Sequence, residues 1–225
     1  MTKNEFCAIF NSFDTTKVTC SECSHYSLCY YKHFSELLNS QKVIKILEFG
    51  VDKGQSLLMW NRLFANSEVV GVDNKEDRVA NAGLICADMD ITVVCGDQSN
   101  ISFLSDLIDN FGKFDIIIDD ASHISTQQIT CFEYMFEHGL LDSGLYVIED
   151  LGTSYWSDWC DGETTMIKYL QKLVDSVNHR FWKHGRINVK QLPGTRVDGA
   201  SYLEENVTSI CFHRGICFVQ KGNNF

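Results

Sequence analysis

From residue 43 the chain alternates apolar runs with amphipathic ones. VIKILEFG (43–50) reads as a buried strand, and QSLLMWNRLF (55–64) sets Leu57, Trp60, Leu63 and Phe64 at helical spacing. EVVGVD (68–73), ITVVCGD (91–97), FDIIIDD (114–120) and GLYVIEDL (144–151) read as further strands. KEDRVANAGLI (75–85), ISFLSDLIDNF (101–111), STQQITCFEYMFEHGL (125–140) and 162–178 read as the helices between and after them. The strands are continuous apolar runs, the pattern of a parallel sheet covered by helices on both faces. At the end the rhythm breaks: VTSICFH and ICFVQK flank Arg214-Gly215, which predicts an antiparallel C-terminal hairpin. Residues 1–40 are expected to form an N-terminal helical cap with a helix near 26–38, and 41–225 a single α/β domain. The stretch 180–206 has no clear period and is expected to be a variable loop over the site.

Composition narrows the classes. A chain of 225 residues, 44% hydrophobic and 22% charged, supports one α/β domain with decorations and excludes a disordered chain. There is no run of 18 apolar residues, and Met1 to Phe10 lacks the long apolar core of a signal peptide. Nineteen Lys and Arg against 30 Asp and Glu give a net charge of −11. Such a surface repels phosphate backbones, so no nucleic-acid partner is expected, and no basic stretch suggests a membrane surface. Ten cysteines without a secretory signal predict a cytoplasmic chain with reduced thiols. Cys86, Cys95, Cys131, Cys211 and Cys217 lie in largely apolar contexts. Cys20, Cys23 and Cys29, with Cys7, His25 and His33 nearby, offer enough ligands for zinc, but a single C-x2-C favours free thiols.

The chemistry gathers at the strand ends, where open parallel sheets bind ligands. The first turn, Glu48-Phe49-Gly50-Val51-Asp52-Lys53-Gly54, lacks the G-x-G-x-x-G spacing of a dinucleotide site. Its carboxylates Glu48 and Asp52 would repel a pyrophosphate and suit a cationic amino and sulfonium end instead. Asp73, ending the second strand, can accept both hydroxyls of a ribose, and Asp97, after the third, can accept from an adenine amino group. Ser56, Asn74, Gln98 and Asp119 complete the candidate cofactor set. The fourth strand ends in Asp119-Asp120 and the fifth in Glu149-Asp150. On neighbouring strands these acids would crowd one edge, and a divalent cation such as Mg²⁺ would relieve their repulsion. The alternative for any one of them is a helix cap or a solvent-facing side chain. His123, three residues past Asp120, is either a general base for an acceptor hydroxyl or a capping residue.

ILEFGVDKGQS and GVD look like the first two motifs of the class I S-adenosylmethionine-dependent methyltransferases. The resemblance implies a Rossmann-like, mostly parallel seven-stranded sheet with its last strand antiparallel. IIIDDASH followed by YVIEDLGTSYW narrows it to the metal-dependent sugar O-methyltransferases, with the macrolide-sugar and rhamnosyl types the nearest. In that family the second Asp and the later Glu-Asp hold Mg²⁺ and the His is the base; those roles fall on Asp120, Glu149, Asp150 and His123. FDTTK and HYSLCYYKHF resemble a further family stretch, through Lys17, His25 and Tyr26. Ala121 stands where a glycine is frequent and Gly152 where a histidine is common. The second change leaves acceptor identity more open than catalysis. Thr153, Tyr155 and Trp156 either line the acceptor pocket or pack as a loop.

The function expected is methyl transfer from S-adenosylmethionine to a hydroxyl of a sugar or glycan-pathway small molecule. The rivals are a non-sugar acceptor (a phenol or a capsule phosphoramidate), a nicotinamide-dependent oxidoreductase, and a cofactor-binding protein without catalysis. The sequence leaves open whether the chain forms a homo-oligomer.

Overall fold

The computed structural model describes residues 1–179 and 199–224. The sheet strands are β1 (Ile44–Phe49), β2 (Ser67–Asp73), β3 (Ile91–Cys95), β4 (Phe114–Asp119), β5 (Leu140–Ile148), β6 (Val207–His213) and β7 (Ile216–Lys221). They form one sheet in the order β3-β2-β1-β4-β5-β7-β6. β1 to β5 pair in parallel, and β7 runs antiparallel to both β5 and β6. The predicted parallel sheet and terminal hairpin are therefore both present. The order reverses between β1 and β4, so the cleft opens at the carboxyl ends of these two strands and of β2.

Side-chain alternation along each strand builds a core on each face of the sheet. One face carries Ile44, Ile46, Ile116, Ile118, Leu145, Val147 and Phe218. It packs on α1 (Lys3–Phe10), α3 (Tyr26–Phe34) and α4 (Gln55–Leu63), with Trp60 and Tyr30 at its centre. The short helix α2 (Thr16–Thr19) precedes α3, and α5 (Glu76–Ile85) follows β2. The opposite face carries Leu47, Phe49, Ile117, Tyr146, Ile148 and Val219 against α6 (Ile101–Phe111), α7 (Ser125–Tyr134) and α8 (Met166–Val177). The first 40 residues thus share a core with the sheet: Phe6, Phe10, Tyr30 and Phe34 are all fully buried in it.

Several boundaries differ from expectation. The helix expected over 125–140 ends at Tyr134 and runs into a π-turn, Met135–Gly139, from which β5 begins at once at Leu140. Lys221 closes that turn by donating to the carbonyls of Phe136, Glu137 and Leu140 at 2.8, 3.0 and 2.9 Å. Glu149 and Asp150 consequently lie just beyond β5. The helix near 26–38 ends at Phe34 and resumes as a 3₁₀ turn, Leu37–Asn39. Residues 180–198 of the loop expected over the site fall outside the described residues, and Tyr202–Asn206 is a short helix with a Ser201/Glu204 capping box. No helix among the described residues is long and apolar enough to cross a membrane.

Candidate active site

A cleft of about 350 Å³ opens at the carboxyl ends of β1, β2 and β4. Its floor begins at the turn after β1. Gly50 adopts φ +90°, and a Cβ there would lie 2.1 Å from the Asp120 carbonyl oxygen. Only glycine lets the β1 turn and the end of β4 approach this closely. Gly54 (φ +76°) sits at the N-terminus of α4, behind the cleft, against Ala82 of α5. Asp73 is buried at the end of β2 and holds the turn in place. Its Oδ2 accepts from the Val51 amide at 3.2 Å and its Oδ1 from the Lys75 amide at 3.0 Å. Arg78 stands 3.6 Å from Asp73 Oδ2 and 4.0 Å from Asp52 Oδ1, a cationic neighbour that the sequence reading passed over. Asp52, Ser56, Asn74, Asp97 and Gln98 also line the cleft.

Strand parity decides where the acids point. Glu48 follows Ile44 and Ile46, and Glu149 follows Leu145 and Val147, so both face the N-terminal helices. There they meet Lys17, whose side chain is 2% exposed. Its Nζ lies 3.1 Å from Glu48 Oε1 and 2.8 Å from Glu149 Oε1, and it also donates to Asp120 Oδ2. Three carboxylates from β1, β4 and β5 therefore converge on one ammonium from α2. Burial alone would push Lys17 towards neutrality, but these three acids hold its pKa well above the ordinary lysine value. Burial, then the charge of Asp120, pushes Glu149 well up, and burial raises Glu48. Glu48 also accepts from Ser56 Oγ at 2.6 Å, and Glu149 accepts from the Tyr30 hydroxyl. Glu48 and Glu149 thus lie beneath the cleft, outside its lining.

Asp119 has the opposite parity and is fully buried. Gln98 Nε2 donates to both of its oxygens at 3.0 and 3.1 Å, while Gln98 Oε1 accepts from the Ser122 amide. Burial lifts Asp119 to about 7. Asp119 and Gln98 together tie the end of β3 to the end of β4. Asp97 directs its Oδ1 to the amide and hydroxyl of Ser99, at 2.8 and 2.7 Å.

Asp120, His123 and Asp150 meet at the cleft wall, with one ligating atom from each within 4.8 Å of the others. His123 (φ +56°) and Asp150 (φ +52°) are both left-handed, which turns their side chains back towards Asp120. His123 Nε2 stands 4.0 Å from Asp120 Oδ1 and 3.8 Å from Asp150 Oδ2, and its Nδ1 is buried without a partner among the described residues. These separations are too long for hydrogen bonds. Asp120 and Asp150, converging here without direct bonds to His123, offer hard oxygen donors to a divalent cation. Of the expected metal set, Asp120 and Asp150 line the cleft and Glu149 does not. Consecutive residues leave β5 in opposite directions, so Glu149 turns down to Lys17 while Asp150 turns into the cleft, and His123 Nε2 stands beside Asp120 and Asp150. Tyr26 steadies Asp150, donating to its Oδ1 at 3.2 Å.

The residues expected in the acceptor pocket follow Asp150 directly, in the 3₁₀ turn Leu151–Tyr155 and just after it. Thr153 is buried and donates to the Asp150 carbonyl at 2.8 Å, while Tyr155 and Trp156 are exposed; none of the three lines the cleft. Trp159, whose ring centroid is 5.9 Å from that of His123, is the aromatic neighbour of the site. Cys20, Cys23 and Cys29 form no common ligand set among the described residues; Cys23 lies beside Asp150 instead, at 3.8 Å.

No family model matches the chain. It is 30% identical over 210 residues to the mycinamicin VI 2''-O-methyltransferase of Micromonospora griseorubida, covering 87% of this chain and 47% of that protein. It is 32% identical over 208 residues to the demethylmacrocin O-methyltransferase of Streptomyces fradiae, covering 87% and 48%. With a tetracenomycin rhamnosyl 2'-O-methyltransferase of Streptomyces olivaceus the figures are 33% over 216 residues, 88% and 50%. The MycE methyltransferase of the mycinamycin pathway, solved with Mg, SAH and mycinamycin VI, superposes with a TM-score of 0.78 at 28% identity, over 97% of this chain and 54% of that one. The chain spans about half the length of the curated relatives it matches. By sequence it is similar to these sugar O-methyltransferases, and by fold it matches the MycE methyltransferase.

Proposed function

We propose that the chain is an S-adenosylmethionine-dependent, Mg²⁺-dependent O-methyltransferase that acts on a sugar hydroxyl of a polyketide-type or glycan-pathway small molecule. One observation carries the reading: His123 Nε2, Asp120 and Asp150 converge on one wall of the cleft whose other wall presents Asp73 and the Gly50 turn. The curated relatives are named for O-methylation of mycinamicin VI, demethylmacrocin and a rhamnosyl tetracenomycin, and MycE was solved with Mg and SAH, which supports the choice of acceptor and cofactors. When bound, S-adenosylmethionine supplies an electrophilic methyl group, and Mg²⁺ supplies positive charge that favours an ionised acceptor hydroxyl. Asp73 retains lone pairs beyond those given to Val51 and Lys75, and offers them to the ribose hydroxyls. Asp120 and Asp150 supply the hard oxygen donors for the cation. His123 Nε2 takes the acceptor's proton while the acceptor oxygen displaces the thioether from the methyl carbon. Lys17 holds the Asp120 carboxylate in place from below.

The test is methyl transfer from labelled S-adenosylmethionine to rhamnosylated and macrolide-sugar acceptors. Turnover should stop in chelator and return with Mg²⁺. His123→Ala should lower the rate by roughly 10²–10⁴ with cofactor affinity unchanged, and Asp120→Asn should require far more Mg²⁺. Full activity in chelator would remove the cation from the reaction, and a wild-type rate for His123→Ala would remove the base.

A further inference from the structure

A second group of metal-ligating side chains lies outside the cleft, where α3 packs on the terminal hairpin. His33 occupies the last turn of α3, while Cys211 and His213 stand two residues apart on β6 and so share a face. His33 Nε2 lies 3.3 Å from His213 Nε2, and Cys211 Sγ lies 3.5 Å from the same His213 nitrogen. All three ligating atoms fall within 4.8 Å of one another. On a tetrahedral zinc ion, with Zn–N about 2.05 Å and Zn–S about 2.3 Å, neighbouring ligand atoms stand about 3.3 Å (N to N) and about 3.6 Å (N to S) apart. Both measured separations match that geometry.

The rings are held in this arrangement from outside the group. His33 stacks on Phe218 with centroids 4.0 Å apart and planes at 13°, and His213 meets the same ring edge-on at 5.8 Å and 87°. Burial, then the neighbouring His213, draws the His33 imidazole down to about 4, and burial lowers His213 as well. Cys29 lies one helical turn before His33, and its thiol is raised by burial and by the adjacent Cys211. Lys32 is the cationic side chain that opposes an ion here.

We infer that His33, Cys211 and His213 form a binding site for Zn²⁺ or a similar thiophilic cation, which clamps α3 to the C-terminal hairpin. Thiolate and imidazole donors select such an ion over Mg²⁺, so the site is chemically distinct from the Asp120–Asp150 wall. Binding would replace the Cys211 S–H bond with a sulfur–metal bond and release one proton to solvent. The clamp bears on the cleft, because α3 also carries Tyr26 and Tyr30, whose hydroxyls hold Asp150 and Glu149.

Co²⁺ titration of the reduced, metal-stripped chain in excess Mg²⁺ tests this. The expected result is a thiolate-to-cobalt charge-transfer band in the near ultraviolet that saturates at one equivalent and is displaced by one equivalent of Zn²⁺. Cys211→Ser should abolish the band, and Cys23→Ser, which removes the thiol beside Asp150, should leave it unchanged. Zn²⁺ should raise the melting temperature of the wild type and not of His213→Ala. Each variant's fold is checked without metal by its circular dichroism. A folded, reduced wild type without the band overturns the inference. So does a band that survives Cys211→Ser or disappears in Cys23→Ser.

Discussion

Replacing Lys17 with methionine keeps an unbranched side chain and removes the cation that, among the described residues, Glu48, Asp120 and Glu149 share. Removing one partner of a buried ion pair typically costs about 3–5 kcal/mol, because the remaining charge is left uncompensated. The burial of these acids gives that cost a definite pH dependence. Water does not reach Glu48 or Glu149, whose carboxylates are already pushed up, so the variant's cheapest response is to take one proton in place of the ammonium. Holding a proton on a group with an unfolded pKa of about 4.3 costs about 1.36 kcal/mol for each pH unit above that value. The cost is then about 5 kcal/mol at pH 8 and about 1.6 kcal/mol at pH 5.5. The sign follows from proton counting: above pH 4.3 or so the variant's native state holds a proton that its unfolded state has lost, so stability falls as pH rises. Urea denaturation of both proteins in chelator, across pH 5.5 to 8, measures the difference. A gap that stays constant with pH, or remains under about 1 kcal/mol at pH 8, would refute the shared-cation account.

Two other substitutions probe the frame of the site. Gly50→Ala combines a positive φ with a Cβ placed 2.1 Å from the Asp120 carbonyl, so it should cost about 3 kcal/mol or more in urea denaturation; a loss under about 1 kcal/mol would show that the two strand ends have room to part. Lys221→Met leaves the carbonyls of Phe136, Glu137 and Leu140 without their shared donor. It should destabilise by about 3 kcal/mol and speed amide exchange in the π-turn, whereas exchange unchanged there would assign the closure to other contacts.

The apolar runs carried most of the sheet. Ile116 to Ile118 and Val69 to Val72 are buried on both faces, which only a covered parallel strand needs, and Arg214-Gly215 marked the hairpin. Element ends were less legible. No turn separates Gly139 from β5, because Lys221, 81 residues beyond Leu140, supplies the closure that a local turn would otherwise give. The acids at the strand ends were visible as a set, but their sorting depends on strand parity. That alternation places Glu48 and Glu149 under the N-terminal helices, and two buried acids there require a cation; Lys17 in FDTTK was the available signal. His33 with Cys211 and His213 was not legible, since about 180 residues separate the partners and only the packing of α3 on β6 and β7 unites them. Thr153, Tyr155 and Trp156 follow the Glu-Asp pair closely, but the 3₁₀ turn Leu151–Tyr155 buries the first and exposes the other two.

Whether the cleft is built for S-adenosylmethionine is tested most directly by calorimetric titration with S-adenosylhomocysteine and, separately, with NAD. The Asp73 geometry and a Gly50 turn without the dinucleotide glycine spacing predict one-to-one binding of S-adenosylhomocysteine and none of NAD. Asp73→Ala should weaken the former by about 1–3 kcal/mol, through loss of charge-assisted bonds to the ribose. Binding of NAD in competition with S-adenosylhomocysteine, or an Asp73→Ala affinity equal to wild type, would contradict the account.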